Sequence, residues 1–438
     1  MSENKEKSIN KQEAPGVCLL NDSFPPLIDG VANAVVNYAA HLPEKGYRVS
    51  VVTPEHPDAD DGRFPYPVFR YPGIDMRKWV GYVAGIPFSP TLMKNISEEK
   101  PALIHSHCPI VSTVVARSIA DKLNAPVVMT YHSKFEVEIE KLIKLKSSRD
   151  LAAKVLVDNI SSCDEIWTVS RGAGESLRYL GYTGEYTVMH NGVDIPRGRL
   201  PDEKTAKLTA GYGIPSGVPV FLFVGRLMWY KGIGIILDAL AGLKSRGLDF
   251  RAVFVGGGGD EDEIRKRTEE LKLGDRVIFT GRIYEREKLS ALYCRSDLFL
   301  FPSTYDTNGL VVREAAACSL PSVLVRGSCA AEDTIDGRNC FHIEENAASL
   351  AVCLTELILH PEALARARDH VADDLYISWK DAVAAAADRY GAVIERYRSG
   401  GYPKHRRPTD EFFRMSGELM DIISKQGTSA EDYVNLLL

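Results

Sequence analysis

The chain reads as an α/β protein of two doubly wound, Rossmann-like domains facing across a cleft, and three observations carry that reading. Its 438 residues exceed the size at which a single core usually stops growing. Short β-rich runs alternate with helix-length amphipathic segments, as in βαβ units whose parallel sheet is covered on both faces. That rhythm breaks at residues 191–219, a stretch rich in Gly, Pro and charge, and then restarts.

In the first half, residues 17–20, 48–53, 103–105, 126–130, 165–169 and 186–189 have strand character, with helical patterns at 31–42, 112–123 and 171–180. The second half repeats the scheme, with strands at 220–224, 252–255, 277–280, 298–301 and 322–325. Helices are expected at 232–244, 261–271, 286–294 and 310–317. Two more helical patterns, 379–397 and 410–425, flank a basic loop at 398–407 and have no strand after them. The expected domains are therefore a disordered tail at 1–14, a first Rossmann-like domain at 15–195, a second at 196–378, and C-terminal helices at 379–438. Those helices are expected to pack outside the sheets and cross back to the first domain.

A net charge of −6 argues against a nucleic-acid partner, because phosphate backbones reward basic surfaces. The eight cysteines are scattered, without a C-x-x-C pair, which suits buried thiols in a reducing cytosol better than disulfides or zinc. The polar start, Met1 to Pro15, lacks the apolar region of a signal peptide, and no apolar run approaches a membrane span. A cytoplasmic protein, at most peripheral to the inner face of the cell membrane, is expected.

The chemistry concentrates where strands end. Ser303-Thr-Tyr-Asp-Thr-Asn-Gly-Leu-Val-Val-Arg-Glu314 follows an apolar strand and sets Asp306 and Glu314 eight positions apart across a strand-to-helix junction. Asn308 and Gly309 stand where the helix begins, so the backbone N–H groups of Gly309 and Leu310 can meet an anion at its positive end. One short segment can thus hold a phosphate and sugar hydroxyls. Another strand ends at Gly225 and is followed by Arg226 and Lys231, a guanidinium fork and a point charge suited to a diphosphate.

The glycine run 256–259 tempts towards a phosphate cradle, but four acids, Asp260 to Glu263, occupy the helix start and would repel phosphate. A tight turn is the better reading, with room for backbone to approach a nucleotide base. In the first half, Asn21 to Asp29 and Gly30 form a shaped loop before a helix. His105, His107 and His132 lie at two strand ends, on the edge where open α/β sheets bind ligands. Of these, His107 is the first choice for a functional role and His132, beside Tyr131, the second. Asn191-Gly192 is a turn signal first and a ligand contact second.

Taken together, these segments resemble the retaining glycosyltransferases of family 4, which have the GT-B fold. The resemblance spans about residues 15 to 395 and rests on the order of P-P-x-x-D-G-V, I-H-S-H, T-Y-H-S, T-V-S-R, H-N-G-V-D, V-G-R-L…K-G and F-P-S…N-G-L-V-V-R-E-A. It implies transfer of a hexose from a nucleotide-diphosphate sugar, UDP- or GDP-linked, with retention, without a metal and with no further cofactor. By the same resemblance Arg226 and Lys231 hold the diphosphate, assisted by the N–H groups of Gly309 and Leu310. Glu314 accepts from the ribose, Asp306 sits by the donor sugar, Gly30 borders the phosphate and His107 contacts the sugar. Asp29, Tyr131, His132 and Asn191 are acceptor-side candidates. Two departures stand out: Asp306 replaces the family's usual Glu, and Asn308 its commoner Phe.

The opening loop and T-Y-H-S look most like the diacylglycerol glucosyltransferase and sulfolipid-synthase branch. A lipid acceptor or an anionic membrane surface would suit residues 141–154, with five cations against one acid among Leu and Ile, and the aromatic, basic stretch 76–94. The competing readings are a soluble acceptor, a nucleotide-sugar epimerase of the same fold, and a non-catalytic nucleotide-sugar sensor.

Overall fold

Apolar runs too short for helices and flanked by Gly or Pro become the strands of two parallel sheets. The computed structural model describes residues 14–27, 29–75, 83–86 and 89–403. The chain divides into two units. The first takes the described residues up to Val169, then Ala173–Met189 and the described residues from Trp379; the second takes Ser170–Gly172 and His190–Ser378.

The first unit holds β1 (Gly16–Leu20), β2 (Arg48–Pro54), β3 (Val68–Tyr71), β4 (Gly73–Asp75), β5 (Val83–Gly85), β6 (Pro101–Ser106), β7 (Val127–Tyr131), β8 (Glu165–Thr168) and β9 (Thr187–Val188). Its main sheet has the order β3-β2-β1-β6-β7-β8-β9, while β4 and β5 form a separate antiparallel pair. The second unit holds β10 (Val220–Val224), β11 (Arg251–Val255), β12 (Val277–Gly281), β13 (Leu298–Phe301), β14 (Ser322–Val325) and β15 (Cys340–Ile343), in the order β12-β11-β10-β13-β14-β15. The burial of both faces explains why β1, β10 and β13 read as unbroken apolar runs: every residue in them is buried.

In each sheet the strand order reverses once, between β1 and β6 and between β10 and β13. In open α/β sheets the loops leaving the strands at such a reversal bind the ligand. Arg226 and Lys231 follow β10, and Asp306 and Gly309 follow β13; Asp29 and Gly30 follow β1, and His107 follows β6. These residues thus fall on the two switch points, whereas Tyr131 and His132 stand at the end of β7 and Asn191 follows β9.

The helix Trp379–Arg398 belongs to the first unit. Arg389 grips both oxygens of Glu165 at 2.6 and 2.9 Å, the Tyr47 hydroxyl donates to the carbonyl of Ala387, and Trp379 meets the Tyr38 ring edge-on. The stretch between the units is less bare than its composition suggests. Pro201 precedes the helix Asp202–Thr209, whose first turn carries Asp202 and Glu203 and whose Thr205 and Thr209 are buried. Strands β3, β4, β5 and β15 and the helices Pro90–Glu99, Phe135–Leu142, Ala347–Leu359 and Pro361–Leu375 also stand where no element was assigned from sequence. Residues 1–13 of the tail expected at 1–14, the helix at 410–425 and much of the stretch 76–94 lie outside the described residues. No single helix among the described residues is long and apolar enough to cross a membrane. All eight cysteines are free, five of them buried.

Candidate functional site

In the second unit, the loop after β10 is built by contact with its neighbours' backbone. Gly232 has φ +75°, and a Cβ there would come within 2.2 Å of the Pro302 carbonyl oxygen. Only glycine lets the Lys231 turn touch the loop that leaves β13. The glycine run has a related purpose. A Cβ at Gly256 would lie 1.9 Å from the Gly225 oxygen, and one at Gly258 would lie 2.2 Å from the Leu227 oxygen. The run is a backbone shelf under residues 225–228.

The acids after that run fasten the same loop. Asp260 accepts from the Trp229 N–H at 2.8 Å and Glu263 from the Trp229 indole at 3.0 Å. Their charge was legible in the sequence as a reason to reject phosphate binding there. Their role in holding the loop of Arg226 and Lys231 was not, because the partners lie 31 and 34 residues away.

Lys231 is buried, and its ammonium lies 2.7 and 2.8 Å from the two oxygens of Asp306. Asp306 also accepts from the Ser303 hydroxyl at 2.7 Å. Arg226, by contrast, is exposed and has no acidic partner among the described residues. The carboxylate expected beside the donor sugar is therefore committed to Lys231 in this structure.

Gly309, at φ +57°, caps the helix Leu310–Ala317, and a Cβ there would crowd Ala330 at 3.0 Å. The first-turn N–H groups, Leu310 and Val311 among them, have no carbonyl of their own helix to bond. Beside them, both polar atoms of the Asn308 amide are buried without a hydrogen-bond partner among the described residues. Glu314, a turn further on, takes the Tyr293 hydroxyl at 3.0 Å and pairs with Arg286 at 3.4 Å. Arg286 also reaches Asp194 at 2.6 Å. Burial raises the Glu314 carboxyl above its ordinary value, and Arg286 works against that rise. So Glu314, expected to accept from a ribose, already has both oxygens engaged. Ser303, Tyr293, Arg286 and Asp194 were missed as site residues; Ser303 and Asp194 carried a signal, in F-P-S and H-N-G-V-D.

In the first unit, Asp29 is the N-cap of the helix Gly30–His41, accepting from the N–H groups of Val31 and Ala32 at 2.8 Å each. Its Oδ1 serves the helix start. Gly30 is exposed at the first helical position, and a Cβ there would meet nothing within 4 Å. Tyr131 is fully buried, and its hydroxyl accepts from the Phe135 N–H at 3.0 Å. Asn191 is buried in the second unit, beside Val193, whose N–H bonds the Ile377 carbonyl.

The histidines divide by their partners. His105 is locked between the Tyr390 hydroxyl at 2.5 Å and the Thr130 hydroxyl at 2.7 Å, inside the core. His107 and His132 meet through Nδ1 and Nε2 at 3.0 Å, while the other nitrogen of His107, Nε2, is buried without a partner among the described residues. Burial pushes His132 down to about 3 and His107 well below the ordinary histidine value, so both are neutral near pH 7. Among the described residues no cluster of three His, Cys, Asp or Glu side chains converges as metal ligands would.

Two doubly wound parallel sheets, with cations and an open helix N-terminus at the switch point of the second, define a GT-B glycosyltransferase. The comparisons with known proteins agree. Residues 28–197 match Glycosyltransferase Family 4 and residues 205–372 match Glycosyl transferases group 1, and the chain belongs to this family of enzymes. It is 24% identical over 356 residues to the alpha-monoglucosyldiacylglycerol synthase of Acholeplasma laidlawii, covering 79% of this chain and 89% of that one. It is 26% identical over 313 residues to the sulfoquinovosyl transferase SQD2 of Arabidopsis thaliana, covering 68% and 57%. A GDP-mannose-dependent alpha-mannosyltransferase of Corynebacterium glutamicum is 24% identical over 397 residues, 86% of this chain and 89% of that one. Among solved structures, Anabaena Alr3699/HepE in complex with UDP superposes with a TM-score of 0.68 at 19% identity, covering 86% of this chain and 100% of that one. The likeness to that structure establishes the fold.

Proposed function

We propose that the protein transfers a hexose from a nucleotide-diphosphate sugar to a lipid or lipid-linked acceptor, with retention at the anomeric carbon. The observation that carries the donor part is the grouping of Arg226, Lys231 and the N-terminus of the helix Leu310–Ala317 on adjacent strand ends of one sheet. Negative charge develops on the departing diphosphate, and donors aimed at it beforehand stabilise the transition state more than the ground state. These groups supply the positive charge from the protein itself, so the reaction as proposed is metal-independent. In a same-face retaining mechanism the departing phosphate takes the acceptor's proton. His107 remains the candidate sugar contact of the first unit, because its Nε2 is buried without a partner and can exchange a hydrogen bond with a hydroxyl.

Support for a lipid acceptor comes from the relatives named as glycolipid synthases and from one surface. On and beside the helix Lys146–Ile160, Leu145, Leu151 and Val155 are 70%, 63% and 60% exposed. Lys144, Lys146 and Lys154 are exposed around them. Apolar side chains ringed by cations suit an anionic lipid interface. The side chain of Lys141, counted in that cluster from sequence, lies outside the described residues.

The test incubates purified protein with UDP- and GDP-hexoses, with and without lipid extract, and reads products by mass spectrometry. A glycosylated lipid and free nucleotide diphosphate, appearing only with lipid present, are expected. Glycosylation of a soluble sugar or inositol alone would leave the transferase and remove the lipid acceptor. An isomerised donor without release would replace transfer by epimerisation.

A further inference from the structure

The geometry points to a role for Asp306 that the family resemblance does not supply: it is an internal counter-ion for Lys231, displaced by the donor's diphosphate and thereby released to the donor sugar. The inference rests on the proposed binding of the diphosphate at Lys231 and concerns what that binding must undo.

Three observations lead to it. The Lys231 ammonium is held by both Asp306 oxygens at 2.7 and 2.8 Å, with the two side chains 10% and 22% exposed. Ser303 adds a third hydrogen bond to the same carboxylate at 2.7 Å, so Asp306 has donors on both oxygens. Around the ammonium stand the rings of Tyr230, Phe301 and Tyr305, their centroids 5.6, 6.0 and 5.8 Å from Nζ.

A lysine this enclosed needs a counter-ion, because an unpaired charge in such surroundings is expensive. With its carboxylate in place, however, Lys231 is already neutralised, and Asp306 would itself repel an arriving diphosphate. Both problems are resolved by exchange. A diphosphate carries more charge than one carboxylate and also bonds Arg226, which has no acidic partner to lose among the described residues. Once it takes Lys231, Asp306 is a free acceptor beside the point where the sugar is attached. Arrival of the diphosphate and recognition of the sugar's hydroxyls are then linked through one side chain. A carboxylate devoted only to the sugar would have no such effect on nucleotide binding.

The experiment measures UDP and GDP, without sugar, by titration calorimetry against wild type, Lys231→Ala, Asp306→Asn and Ser303→Ala. Asparagine keeps the shape and one acceptor for Lys231 but removes the competing charge. Asp306→Asn is expected to bind the tighter of the two nucleotides about tenfold more strongly. The gain is smaller for the corresponding nucleotide sugar, whose hydroxyls lose their acceptor. Ser303→Ala, which weakens the hold on the carboxylate, shifts nucleotide affinity the same way by less. Unchanged affinity in Lys231→Ala would remove the diphosphate reading and the counter-ion with it. If Lys231→Ala is weakened but Asp306→Asn binds nucleotide equally or less well, the counter-ion alone is overturned.

Discussion

Replacing Gly258 by alanine should damage donor binding from a position that carries no ligand-binding side chain. The added Cβ would lie 2.2, 2.7 and 2.8 Å from the O, C and N atoms of Leu227. All three are backbone atoms, so no side-chain rotation relieves the clash. A carbon–oxygen contact normally starts at about 3.3 Å, so the loop must retreat by about 1 Å. That retreat strains the Leu227 N–H bond to the Gly257 carbonyl at 3.2 Å and the Asp260 N–H bond to the Leu227 carbonyl at 3.3 Å. Overpacking of this kind costs about 2 kcal/mol. Thermal unfolding should fall by about 4–8 °C for a unit of this size. Because Arg226 precedes Leu227 directly, nucleotide-diphosphate affinity should fall as well, by about tenfold or more, since a 1 Å displacement is expensive in a pre-aimed site. Calorimetry with UDP and GDP, beside thermal melts, reads both effects. A variant that melts and binds like wild type would refute the view of the glycine run as a packing shelf. It would reopen the alternative in which those glycines exist to admit a base.

Two further outcomes follow from the first unit. His105, His107 and His132 are held neutral by burial, His132 down to about 3, whereas the unfolded chain protonates them near their ordinary value. The unfolded state then binds more protons as pH falls below about 6.5, so stability declines towards acid, by about 1.4 kcal/mol per pH unit for each histidine. His132→Gln should flatten the slope of denaturant midpoint against pH between 4 and 6 by about one proton's worth; an unaltered slope would contradict the neutral assignment. At the surface, changing Lys144, Lys146 and Lys154 together to Glu should lower affinity for anionic vesicles by about two orders of magnitude. Equal sedimentation of variant and wild type would remove the membrane reading and favour a soluble acceptor.

Much of the architecture was legible because alternation and burial leave strong local marks. The runs at 220–224, 298–301 and 322–325 coincide with β10, β13 and β14, whose residues are buried on both faces and so read as apolar throughout, Ser322 excepted. Edge strands were harder. In β3 three of four residues are only partly buried, and β4 and β5 span three residues each, too few for a period to show. The helix Asp202–Thr209 buries only two threonines and therefore has no apolar stripe.

The same division runs through the site. Sequence alone determined the fold class and marked the candidate segments, because glycines, cations and acids at strand ends are recorded in local order. Partnership was decided only by the tertiary structure, since it joins residues far apart in the chain. That Lys231 is already occupied by Asp306, 75 residues away, follows from the adjacency of β10 and β13. That Glu314 spends its oxygens on Tyr293 and Arg286, that Asp260 braces the Arg226 loop, and that His107 leans on His132 depend likewise on which loops the parallel sheets bring side by side. Short-range sterics write the strand ends into the sequence; the long-range order of strands, which no local pattern encodes, chooses their neighbours.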